Sequence, residues 1–134
     1  MLVAISIPIF TSQLEKSRDA VTLSNIRAAY AEVQSAYLTQ DSSATTNQTV
    51  DENGQTITIA PASNGKQVVT INNVVAKGKS IGLNNKDQLP ISIEKGVDLD
   101  ATMGQTAGNY TLTFTYTTTN ENTTVSLTKV EKDQ

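Results

Sequence analysis

The chain opens MLVAISIPIFTSQLEKSRDA, an apolar run that ends at Phe10 and passes without a break into a long stretch of helix-forming residues. From Met1 to Phe10 there is no charge, only Ser6 and Pro8 interrupt the aliphatic and aromatic side chains, and the first charge is Glu15. Such a run rises about 15 Å as a helix, about half a bilayer core, whereas a spanning helix needs about 20 apolar residues. It therefore reads as the second half of an anchor whose first half lies upstream of Met1. It makes a poor signal peptide, with no basic residue before it and no small-x-small pattern after it.

The helical pattern continues to Leu38 or Gln40. Ala20, Ala28, Ala29, Ala31 and Ala36, with Leu14, Leu23, Glu15 and Glu32, are good helix formers. Ile26, Tyr30, Val33 and Tyr37 recur at steps of four, three and four, so they share one face and are predicted to pack as core between helix and sheet. A helix of about 38 residues is about 57 Å long, more than a domain of this size is wide. Residues 1–20 are therefore expected to project, and residues 21–134 to form the globular head. Pro8 cannot donate to the Ala4 carbonyl and is expected to bend the helix there.

After the polar stretch Asp41 to Gln48 the period changes to that of strands. Thr49 to Ala60 reads as a hairpin turning at Asn53-Gly54, and Pro61 to Gly65 as another turn. Gln67 to Val75 is β-branched and strand-like; a loop at Ser80 to Asp87, a short strand at Leu89 to Ile93 and an irregular stretch from Glu94 to Gly108 follow. The strongest strand signal is Tyr110 to Tyr116, where Tyr110, Leu112, Phe114 and Tyr116 alternate with Thr111, Thr113 and Thr115. Thr119 to Asn122 turns the chain back into Thr123 to Val130. The expected fold is α+β: a long N-terminal helix packed by its C-terminal half on an antiparallel β-meander.

Composition narrows the chemistry. From Asp41 onward there are 22 Ile, Leu, Val, Phe and Tyr residues, a small core that gains from an extra apolar surface laid against it. The net charge of −3 argues against direct nucleic-acid binding, which favours basic surfaces. Without Cys or His the chain has no disulfide, no thiolate or imidazole zinc site, and no Ser-His or Cys-His nucleophile pair. Asp98, Asp100 and Thr102 space oxygen atoms like the start of a calcium loop. An EF-hand is excluded, since its sixth and twelfth positions fall on Met103 and Asn109. The Asn-x-Thr sequons at Asn47, Asn109 and Asn122 carry no further signal. No catalytic residue, cofactor or metal is expected.

Ala4, Ile5, Ser6, Ile7, Pro8, Ile9 and Phe10 resemble the Ala-Ile-x-Ile-Pro-x-Phe ending of the apolar segment in type IV pilins and pseudopilins, particularly those of Gram-positive bacteria. Ser17, Arg18 and Asp19, then Asn25, Arg27, Ala28, Ala29 and Tyr30, look like the helix that follows in family members. The likeness covers about the first 40 residues; the leader and about 14 residues of the mature start are lacking, including the family's docking glutamate. It implies a non-enzymatic structural subunit of a type IV pilus-like fimbrium, serving adhesion, motility or uptake. The precursor would be anchored in the cytoplasmic membrane and the filament displayed at the cell surface. Leu2, Val3, Ala4, Ile5, Ile7, Pro8, Ile9 and Phe10 would form the membrane and assembly helix. The implied partners are copies of the chain, other pilins, a prepilin peptidase and assembly machinery. A pseudopilin of a type II secretion-like or competence DNA-uptake machine shares the fold; a membrane-anchored extracellular binding module or enzyme is the remaining alternative.

Overall fold

The computed structural model describes residues 2–77, 89–99 and 101–133, with the helical backbone alone for residues 2–16. Among the described residues one helix, α1 (Leu2–Thr39), precedes six strands: β1 (Gln48–Glu52), β2 (Gln55–Ile59), β3 (Lys66–Ala76), β4 (Ser92–Ile93), β5 (Gly108–Thr119) and β6 (Asn122–Lys132). They form one sheet in the order β1-β2-β3-β5-β6-β4, antiparallel except where β4 lies parallel to β6. The class is α+β, but the sheet is not a pure meander. The strand expected at Leu89 to Ile93 shrinks to Ser92–Ile93 and crosses to the far edge. A short segment with only Ile93 to place against Leu127 goes where an outer edge is free, and local sequence does not encode that choice.

Three tight turns use positive φ, which Asn and Gly adopt most readily. Asn53-Gly54 joins β1 to β2, Asn64-Gly65 leads into β3, and Asn120-Glu121 joins β5 to β6. The expected loop at Ser80 to Asp87 lies outside the described residues.

Cross-strand rows build the core. Ile57, Ile71 and Leu112 stand side by side, as do Ile59, Val69, Phe114 and Leu127, and all are buried. The opposite face of the same strands carries Thr58, Thr70 and Thr113 in register, so the sheet has one apolar and one hydroxyl-bearing face. Helix residues Leu23, Ile26, Ala29, Val33 and Ala36 join the apolar face in one continuous core.

Candidate functional site

The helix positions every residue singled out for assembly. Its buried side is the stripe Asp19, Thr22, Ile26, Ala29, Val33 and Ala36, at steps of three and four. This period of about 3.5 keeps one seam facing the sheet. The two alanines let the helix backbone come close, and the tyrosines flank the seam. The Tyr30 ring lies 5.9 Å from Phe114, and Tyr37 stacks flat on Tyr116, 3.8 Å apart and 4° from parallel. Tyr116 donates from its hydroxyl to Gln34 Oε1 at 2.5 Å. Burial, with the neighbouring phenols of Tyr30 and Tyr37, pushes the Tyr116 hydroxyl above the ordinary tyrosine range.

Polar latches fix the helix at both ends of the packed stretch. Thr22 accepts from the Lys77 N–H at 2.9 Å while donating to the Arg18 carbonyl, and Asn25 Nδ2 donates to the Val75 carbonyl at 3.0 Å. Farther on, Gln40 and Gln67 exchange amide hydrogen bonds of 3.0 and 2.6 Å, and Gln67 also donates to the Ala60 carbonyl. Each latch removes sliding and rotation that an apolar seam alone would permit.

The outward side carries a second stripe with the same period: Ser17, Val21, Ser24, Ala28, Ala31, Ser35 and Leu38, all exposed. Among the exposed helix residues from Ser17 to Thr39, Arg27 alone is charged. Helices that face water normally carry charge there. Leu38 is 77% exposed and borders a half-open cleft of about 180 Å³ lined also by Tyr37, Tyr116 and Val125. Adding an isolated Leu to a surface is ordinary; an almost uncharged helix face seven residues long is not.

Of the residues singled out from the sequence, Ile26 and Val33 are fully buried, and Tyr30 and Tyr37 are half-buried against the core. Leu2, Val3, Ala4, Ile5, Ile7, Pro8, Ile9 and Phe10 lie in α1, with side chains outside the described residues, as is the bend expected at Pro8. Asp98 accepts from the Ala101 N–H at 3.1 Å and so caps a turn; Asp100 lies outside the described residues. Among the described residues no group of three or more acidic side chains is placed to hold a metal. The outward stripe was legible in the spacing of Ser24, Ala28, Ala31 and Ser35, but alanine and serine there register first as helix formers and solvated positions.

No helix among the described residues is long and apolar enough to cross a membrane. The chain matches no family model, no curated protein and no solved structure.

Proposed function

We propose that this chain is a structural subunit of a type IV pilus-like extracellular filament. Its long N-terminal helix packs by the C-terminal half on the sheet, and the preceding part projects as membrane anchor and then as filament core. The observation that carries this reading is the outward helix stripe from Ser17 to Leu38, uncharged but for Arg27 beside it, following the uncharged run Leu2 to Phe10. Small residues at steps of three and four allow neighbouring helices to approach closely. The hydroxyl-bearing sheet face would then meet the surroundings, and function would be polymerisation plus surface contact, without covalent chemistry. The membrane before assembly, copies of the chain, a prepilin peptidase and an assembly machine are the partners this reading requires.

The test separates the two halves of the helix. Ile7→Asp should leave the head's melting unchanged but abolish filament recovery from cells carrying the full-length gene, because a buried carboxylate costs at least about 3 kcal/mol. Tyr30→Asp removes the ring that meets Phe114 and places a charge against the core, a loss of about 3–5 kcal/mol. It should prevent folding. Equal destabilisation of the head by both substitutions, or filaments assembling normally with Asp at position 7, would sink the proposal.

A further inference from the structure

Two Asn-Gly pairs turn this chain, with almost identical backbone angles: φ of 54° and 78° at Asn53-Gly54, and 54° and 77° at Asn64-Gly65. Their surroundings differ. We infer that Asn53 is a site of spontaneous covalent modification, converting to aspartyl and isoaspartyl through a cyclic imide, while Asn64 is protected by the sheet.

The chemistry needs only the backbone and water. The Gly54 nitrogen, once deprotonated, attacks Cγ of Asn53; the new C–N bond closes a ring and the side-chain nitrogen leaves as ammonia. Water then opens the ring at either carbonyl, giving aspartate, or isoaspartate with the backbone rerouted through the former side chain. Glycine is the residue that least obstructs this attack, since it has no Cβ. In a primed turn, however, the Asn-Gly peptide must rotate out of its native position before nitrogen and Cγ can meet. The rate therefore follows the local opening equilibrium of each turn.

The Asn64 turn is locked. Ser63 and Lys66 exchange two backbone hydrogen bonds of 2.8 and 2.9 Å, and the Gly65 carbonyl accepts from the Thr118 N–H at 2.8 Å. A Cβ at Gly65 would lie 3.0 Å from the Thr118 carbonyl oxygen, so the turn is pressed against the β5 strand. The Asn53 turn sits at the tip of the edge hairpin, where β1 has a neighbour on one side only and a Cβ at Gly54 would meet nothing within 4 Å. Beyond the hairpin it is tethered through side chains: the exposed Asn73 Nδ2 donates to the Gly54 carbonyl at 2.9 Å, Gln55 Nε2 donates to the Asn73 carbonyl at 3.3 Å, and Asn72 Oδ1 accepts from the Thr56 N–H next to the turn. Conversion would place a third carboxylate after Asp51 and Glu52. In the isoaspartyl form it would also lengthen the backbone inside the turn and disturb the Glu52–Gln55 pairing.

The experiment follows both sites by digestion and mass spectrometry of the full chain held in mildly alkaline buffer, native and in denaturant. In denaturant the two sites should convert at matching rates. In the native chain Asn53 should convert severalfold faster than Asn64. Asn73→Asp keeps a residue that tolerates a φ of 55° but removes the donor to Gly54, and should speed conversion at Asn53 while leaving Asn64 unchanged. Native rates equal at the two sites, or faster at Asn64, overturn the inference, as does a folded Asn73→Asp chain in which Asn53 converts no faster. Should that variant not fold, the native-to-denatured rate ratios of the unaltered chain decide: equal protection at the two sites overturns it. Filament assembly does not enter, so failure here leaves the proposed function standing.

Discussion

Glu121 is the one described residue with a positive φ, 71°, that is neither asparagine nor glycine. It occupies the second corner of the β5–β6 turn, where a primed turn favours glycine. A side chain in this left-handed region costs about 1–2 kcal/mol, part of which glycine gives back as backbone entropy. Glu121→Gly should therefore raise stability by about 0.5–1 kcal/mol. The gain should appear as a higher urea midpoint at unchanged slope; a midpoint at or below that of the parent chain would contradict it. Tyr116 supplies a pH dependence. Burial, then the adjoining phenols, holds its proton beyond the ordinary tyrosine value of about 10. Because the folded-state pKa is raised, this stabilisation is complete below the unfolded value and is lost as pH rises past it. Tyr110 is shifted the same way by burial. Tyr116→Phe should flatten the alkaline fall of the melting temperature, although it loses the bond to Gln34 at neutral pH. An alkaline slope identical to the parent's would show that another group controls it.

Within the helix, Ala28 and Ala29 are adjacent in sequence and opposite in environment, one exposed and one 1% exposed against the sheet. Ala29→Leu forces a larger, branched side chain into a fully packed position of the helix–sheet core and should cost about 1–3 kcal/mol by overpacking. Ala28→Leu should leave the melt of the head within about 0.5 kcal/mol of the parent, as surface changes do, yet reduce filament yield if that face packs on neighbouring helices. Thermal melts of the two variants check the first contrast and filament recovery checks the second; equal melts would mean that the seam is misplaced. Strand β3 shows what a residue pattern hides. Its β-branched run was readable, but Asn72 and Asn73 within it form a bulge between Ile71 and Val74. Asn72 Oδ1 accepts from the Thr56 N–H at 2.7 Å, and the Asn73 N–H donates to Asp133 Oδ2 at 3.0 Å. The same carboxylate accepts from the Thr111 hydroxyl. A residue 60 positions away in the chain thus helps hold the bulge, and nothing near Asn73 announces it.

For the whole molecule, the seam of buried helix residues begins at Asp19 among the residues whose side chains are described, so a head lacking residues 1–16 retains every described residue of the helix–sheet core. It should be folded and monomeric, whereas the full chain, with its uncharged Met1 to Phe10 run, should associate. Light scattering that finds the shortened head still oligomeric at low concentration would place the association surface in the head instead. Local chemistry was enough to specify the helix, the alternation of Tyr110 to Tyr116, and the two Asn-Gly turns, because period, propensity and positive φ act over a few residues. Those signals also marked Ile26, Tyr30, Val33 and Tyr37 as one side of the helix. They left open which side faces inward most deeply. Packing settles that on the seam of Ile26, Ala29, Val33 and Ala36, with the half-buried tyrosines at its flanks, because the sheet's apolar face can cover only one side of the helix fully. Packing likewise sends Ser92–Ile93 across to β6 and ties Asn73 to Asp133. These choices depend on groups that meet only after the chain has folded, and such contacts leave no periodic trace in the sequence.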